Sequence, residues 1–412
     1  MRRLLALLIL VSAPLGADTF RILDDNREAM QARVDLIQQA HTSIDVVYFI
    51  VRHDRVTLTA LALLREARRR GVSDVRLIVD ANFLHVPRSV LAHLQDEGIQ
   101  IRVYHPITLR HPTWLWHRLH EKEIIADGRR YITGGRNLDE SYFGLAKGMN
   151  YVDRDVFVEG ESAGEAQEHF EELWSSRHVA DLRVRVSPAS RLKASQELDD
   201  ALASGFVKLN TGTDWSAGLE QAPVRFLSDE KDERVGEQLA SLVAKAKRSI
   251  VIESPYLVPS REFLDLLASK AQKGVQVTIV TNSLRSSDGV LAQVGYLRYR
   301  GRVRRAGIIV WEFKGPDCLH AKSLVIDGKL AMIGSYNVDH RSEDLDSEVM
   351  SVADDRHKAR ELRDLIDVHI ANSWWVDNHG NLYRARHWAG ERARKIRAWF
   401  AKLLLPVIEP QL

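Results

Sequence analysis

Two stretches decide how this chain is read: Ser43-Ile44-Asp45-Val46-Val47-Tyr48-Phe49 and, later, Ser249-Ile250-Val251-Ile252-Glu253-Ser254-Pro255-Tyr256. Each is a short β-branched and apolar run, the pattern of a buried strand. After the first come Leu58, Leu61, Leu64 and Ala67 on one helical face, with Gly71 as the stop. After the second come Phe263, Leu264, Leu267 and Ala271, with Gly274 as the stop. A further strand follows each helix, Val75 to Asp80 and Val275 to Thr281, and an amphipathic helix precedes each first strand, Val34 to Ala40 and Val235 to Ala246. Strand and helix alternate in both halves. The expected fold is α/β: two pseudo-symmetric α/β/α domains with mainly parallel sheets.

The length agrees, since 412 residues exceed one ordinary core. Hydrophobic residues at 45% and charged residues at 28% exclude a disordered chain. With 58 basic and 56 acidic side chains there is no global positive field of the kind nucleic-acid binders carry. The single cysteine, Cys318, excludes an intrachain disulfide and a cysteine zinc site, and reads as a small packing residue.

The chain ends differ from the middle. Residues 1–17 combine Arg2 and Arg3, an apolar run from Leu4 to Val11, and small residues at Ala13, Gly16 and Ala17. That order reads as a signal peptide cleaved after Ala17 or Ala13, so the protein is expected to be exported, periplasmic and peripherally attached to the membrane. The expected boundaries are a first domain over 18–190, a connection over 191–220 marked by turn residues, a second domain over 221–375 and a tail over 376–412. That tail holds seven Lys/Arg against three acids, with Ile396, Trp399, Phe400, Leu403 and Leu404 at helical spacing. Such a helix suits either an anionic membrane surface or a seat on the domain. Trp114-Leu115-Trp116-His117 can line the site mouth or belong to the core. The arginines 298, 300, 302, 304 and 305 can meet head groups or form a solvated face.

The chemistry sits at matching points. His120-Glu121-Lys122 leads to Asp127 and then Gly134-Gly135-Arg136-Asn137; His320-Ala321-Lys322 leads to Asp327 and then Gly334-Ser335-Tyr336-Asn337. In both, His to Lys is two residues, Lys to Asp five, Asp to the first Gly seven, and that Gly to Asn three. Two-residue spacing on a strand points His and Lys to one face. An imidazole beside an ammonium, with an amide donor from Asn and close backbone at the glycines, suits a phosphodiester whose charge grows in the transition state. One copy is half a site; two copies supply one His to attack phosphorus and one to protonate the leaving oxygen. Ser335 replaces Gly135, so a single hydroxyl is expected to face the phosphate. Each His also needs an orienting carboxylate. Glu348, after His320, and Asp155, after His120, are the candidates, with Asp346 and Asp153 as competitors two positions earlier. Asp127 and Asp327 precede Gly128 and Gly328 and read as turn residues that hold the fold.

These paired motifs resemble the phospholipase D superfamily, with duplicated His-x-Lys-x4-Asp-x6-Gly-Gly/Ser-x-Asn sets, over about residues 24 to 408. Gly134-Gly135-Arg136-Asn137-Leu138, Tyr142-Phe143-Gly144 and Asn337-Val338-Asp339-His340-Arg341-Ser342 resemble bacterial cardiolipin synthases more than nucleases. The ending, Trp399-Phe400-Ala401-Lys402-Leu403-Leu404-Leu405-Pro406, looks like theirs too. The resemblance implies one shared active site between the domains and a two-step, metal-free and cofactor-free transfer through a phosphohistidine. By analogy His120 attacks and His320 is acid, then base. The implied substrate is an anionic glycerophospholipid at a membrane surface rather than a nucleic acid, and no obligatory protein partner is implied. Hydrolysis, nuclease action and non-catalytic lipid binding are the alternatives.

Overall fold

The computed structural model describes residues 17–106, 116–229, 233–383 and 395. Residues 1–16, within the stretch read above as a signal peptide, and the apolar face of the tail lie outside them.

Both deciding strands form, as Ser43–Tyr48 and Ser249–Glu253, and both are buried from their second residue onward. The helices Arg55–Arg69 and Arg261–Gln272 follow them, started by Asp54 and Ser260, whose side chains accept from Thr57 N and Phe263 N. Gly71 and Gly274 follow their ends with φ of 104° and 86°, where a side chain would be strained. The parallel part of each half is then completed by Asp74–Asp80 and Gln100–Tyr104, or by Gln276–Asn282 and Ile309–Phe313.

There the expectation of mainly parallel sheets needs correcting. Among the described residues of the large sheet only those three strands per half run parallel, beside two separate two-stranded parallel ladders. Lys122–Ala126, Arg130–Gly134 and Asp155–Glu159 pair antiparallel, as do Ser323–Ile326, Leu330–Gly334 and Val349–Asp354. The cause is local. Asp127-Gly128 and Asp327-Gly328 all have φ between 55° and 60°, the two-residue turn that returns a strand beside itself, whereas a parallel return needs a helical crossover.

The halves share one sheet of sixteen strands among the described residues, fused where Ala17–Leu23 pairs with Gln221–Ser228. Helices cover both faces. One apolar cluster lies under the helices of each half, and a third spans the junction, including Phe20, Val158 and Phe170 from one half and Phe226, Ile333 and Ile366 from the other. Each such fully buried side chain contributes about 1.5–3 kcal/mol, so the halves are held as one unit rather than by a loose tether. The connecting segment carries a helix, Pro188–Ala203, which packs on Arg55–Arg69 and Arg88–Asp96 of the first half. Ser187 and Pro188 are that helix's cap and first residue.

Candidate active site

The strand Lys122–Ala126 and its counterpart Ser323–Ile326 bring the two His-Lys pairs to the seam between the halves. His120, Asn137, His320 and Asn337 line one cleft of about 400 Å³, together with Phe49, Tyr142, Tyr151, Tyr256, Arg118 and Arg341. Phe49 and Tyr256 lie just past the first parallel strand of each half, where α/β sheets generally place ligands. That rule could have found them in the sequence.

The carboxylates are exchanged between the halves. His120 Nδ1 lies 2.9 and 3.1 Å from the two oxygens of Glu348, and His320 Nδ1 lies 2.6 Å from Asp153 Oδ2. Glu348 therefore orients His120, not the His320 of its own half. The backbone dictates the exchange: His320 N donates to Val152 O at 2.7 Å and Cys318-Leu319 pairs with Tyr151-Val152, while His120 N donates to Ser347 O at 3.0 Å. Each His is thus pinned to the residue immediately before the other half's carboxylate.

Asp155 is not a partner of His120. Its carboxylate is fully buried and accepts from Arg33 Nη2 and Arg136 Nη1, both at 2.9 Å, and from Arg136 N at 3.2 Å. It fixes the Gly134–Arg136 turn. The sequence offset misled because the two halves differ in loop length. Register settles the matter: Gly134 faces Asp155 but Gly334 faces Met350, so the residue equivalent to Glu348 is Asp153. The pairs Gly135 N to Arg154 O and Ser335 N to Val349 O give the same alignment.

Ser335 also departs from expectation. Its hydroxyl is fully buried and donates to Glu348 Oε2, while Val349 N donates to it at 3.0 Å. It positions the carboxylate rather than facing the phosphate, and Ser342 Oγ does the same to Glu348 Oε1 at 2.5 Å. The Gly135/Ser335 difference follows from the shorter carboxylate opposite: a Cβ at Gly135 would sit 2.1 Å from Asp153 Oδ1. A Cβ at Gly134 or Gly334 would come within 2.5 or 2.2 Å of the carbonyl of Arg154 or Val349.

Lys122 and Lys322 lie fully buried behind the histidines. Lys122 Nζ donates to His120 O, and Lys322 Nζ lies 2.6 Å from His320 O and 2.8 Å from its Nδ1. Burial, with Lys322 nearby, pushes Lys122 down to about 7, and burial lowers Lys322 as well. Burial likewise holds both histidines below their ordinary value, His120 far below. Glu348 is pushed up to about 7 by burial. For Asp153 burial acts the same way, but the charges of His320 and Lys322 more than offset it and hold it below the usual range. The cleft therefore crowds cationic groups in a dry setting, which an anion entering between them relieves. Asn137 Oδ1 accepts from Ile50 N at 3.0 Å, which turns its amide NH2 towards the cleft. Tyr142 and Tyr151 stack on each other and meet the His320 ring edge-on, both at 5.1 Å.

Asp127 accepts from His41 N, Thr42 N and Ser43 N, and Asp327 from Lys247 N, Arg248 N and Ser249 N. Each ties its hairpin to the turn that enters the first parallel strand. Cys318 is buried, and its Sγ accepts from Asn282 Nδ2 at 3.5 Å. Of the arginine cluster, Arg304 is buried against Asn378 and Arg300 pairs with Glu312 at 2.9 Å. Trp116 is exposed at 43%, and His117 Nδ1 meets Leu345 O at 2.9 Å; Trp114 and Leu115 lie outside the described residues.

The family model described as "Cardiolipin synthase, PLD-like domain" matches residues 34–174 and 239–370. Cardiolipin synthase C of Escherichia coli (strain K12) is 28% identical over 422 residues, covering 87% of this chain and 88% of that protein. Cardiolipin synthase of Staphylococcus aureus (strain Mu50) is 26% identical, covering 94% of this chain and 73% of that protein. The crystal structure of phosphatidylserine synthase from Haemophilus influenzae superposes with a TM-score of 0.71 over 97% of this chain and 98% of that one; at 16% identity this is a likeness of fold. With its duplicated motif meeting in one cleft and both halves matched, this chain belongs to the cardiolipin synthase, PLD-like domain family.

Proposed function

We propose that this protein is a phosphatidyltransferase of the cardiolipin synthase type. The observation that carries the reading is the pair of buried histidines facing one cleft, each held at Nδ1 by a carboxylate, with the Nε2 of His320 also 3.1 Å from Lys322 Nζ. His120, neutral in its buried site, attacks phosphorus of a phosphatidyl donor with Nε2 as the bond to the leaving alcohol breaks. His320 gives that alkoxide its proton. Lys122, Lys322, Asn137 and Asn337 take up charge on the non-bridging oxygens. An acceptor alcohol then loses its proton to His320 and attacks the phosphohistidine from the same side, freeing His120. Transfer rather than hydrolysis follows when the alcohol is held in line and water is kept out, for which the aromatic wall of Phe49, Tyr142, Tyr151 and Tyr256 is suited.

Export and membrane attachment belong to the same proposal, supported by the sequence of residues 1–17 and of the tail. No helix among the described residues is long and apolar enough to cross a membrane. Cleavage after Ala13 leaves the strand Ala17–Leu23 whole, and cleavage after Ala17 trims one residue from it.

The test is purified protein with phosphatidylglycerol vesicles and mass spectrometry of the products. Cardiolipin and glycerol are expected. Chiefly phosphatidic acid would make the protein a hydrolase, and cleavage of DNA without lipid turnover a nuclease. Removing Ala389 to Leu412 should weaken binding to anionic vesicles.

A further inference from the structure

We propose that Glu121, Glu123 and His169 form a binding site for one divalent transition-metal cation of the zinc class, separate from the phosphate-handling cleft. Glu121 and Glu123 alternate with His120 and Lys122 along one strand, so they project from its opposite face. There they meet His169 from the helix Ser162–Ser175. One ligand atom from each of the three residues lies within 4.8 Å of the others, and all three residues are buried.

Charge makes the case. Glu123 is fully buried, and neither of its oxygens has a hydrogen-bond partner among the described residues. Glu121, also fully buried, accepts from His169 Nε2 at 3.0 Å and from Ser347 Oγ. Two buried carboxylates thus lie near one imidazole that bonds only Glu121, and an unpaired buried carboxylate costs several kcal/mol unless something neutralises it.

The second half shows what is missing. There the helix Arg356–Ala371 places His369 at 2.5 Å from Glu253, and Arg154 reaches across the seam to Glu253 at 2.6 Å and Ser323 Oγ at 2.9 Å. Ser323 is the counterpart of Glu123. By the register given above, the counterpart of Arg154 is Val349, which carries no charge. The first half therefore has an extra carboxylate and lacks the guanidinium. A divalent cation with a neutral imidazole balances two carboxylates, and the 3.0 Å between Glu121 and His169 is near the edge of a tetrahedron with bonds of about 2 Å.

A route exists. His169 and Ser347 line a cleft of about 810 Å³ whose rim includes Asp229, Glu172 and Asp346. The cation would tie Glu121 and Glu123, on either side of Lys122, to the helix Ser162–Ser175, so its role is to position the backbone behind the His-Lys pair, not to touch substrate.

The experiment uses the full chain purified without added metal. Elemental analysis should find one zinc-class ion per chain, or zinc chloride added to stripped protein should raise the thermal midpoint with a stoichiometry of one. Glu123→Gln, close in shape, should cut the affinity at least tenfold and abolish the midpoint shift. Cobalt(II) soaked into wild type should give the visible bands of a low-coordinate nitrogen–oxygen site, which reads the site even if the variant does not fold. Wild type that neither carries nor binds zinc or cobalt, or a folded Glu123→Gln that binds as wild type does, overturns the proposal.

Discussion

Replacing Asp153 by Asn tests the exchange of carboxylates between the halves. Asp153 is 3% exposed and its oxygen lies 2.6 Å from His320 Nδ1. Asn keeps the shape but removes the charge, and its amide NH2 favours the wrong imidazole tautomer. Comparable loss of an orienting aspartate in a catalytic triad lowers kcat by about 10⁴-fold, so a fall of about 10³- to 10⁴-fold is expected here, or roughly 4–5 kcal/mol of transition-state stabilisation. Asp155→Asn provides the contrast. It leaves the guanidinium groups of Arg33 and Arg136 facing an amide, with an expected stability loss of about 3–5 kcal/mol for a broken buried ion pair. Its turnover per folded molecule should stay within about tenfold of wild type. The assay is the initial rate of cardiolipin formation in mixed micelles, normalised to the folded fraction, beside thermal unfolding of each variant. Near-normal rates for Asp153→Asn together with an inactive, fully stable Asp155→Asn would refute the exchange.

Three further outcomes are expected. His120→Asn and His320→Asn should each abolish turnover, and radiolabelled donor should leave covalent phosphorus only on variants that keep His120; label retained on His120→Asn would reverse the roles. Gly135→Ser should displace Asp153 and cost at least tenfold in kcat, because its Cβ would lie 2.1 Å from Asp153 Oδ1; an unchanged rate would show that the close approach is unimportant. In the free protein Lys122 is lowered to about 7, so it is charged below that pH and neutral above it. Binding of an anionic head group favours the charged form, so KM should climb as pH rises through about 7, by at most about tenfold per unit. A permanently charged Lys122→Arg should flatten that limb, whatever its overall rate, and a wild-type KM that does not change across neutral pH would contradict the assignment.

Local pattern determined much of this molecule. The strands at Ser43 and Ser249, their helices, the glycine stops and the Asp-Gly hairpins all follow from periodicity and turn chemistry within about twenty residues, where neighbours along the chain dominate. The repeat of His, Lys, Asp, Gly and Asn was visible for the same reason, since spacing along a strand fixes the face. The same hairpins already implied antiparallel returns, yet the alternation of strand and helix outweighed them in the reading of the sheet. What no local pattern carries is which strand lies beside which. The fusion of two half-sheets through Ala17–Leu23 and Gln221–Ser228 is a contact between segments two hundred residues apart, chosen by burial of the shared apolar face. The same long-range pairing hands Asp153 to His320 and Glu348 to His120. It leaves Asp155 to the two arginines, and turns the Ser335 hydroxyl onto Glu348. Nearness along the sequence suggested for each His a carboxylate of its own half, and loops of unequal length made Asp155 rather than Asp153 the match to Glu348; pairing across the seam and hydrogen-bond register decide both.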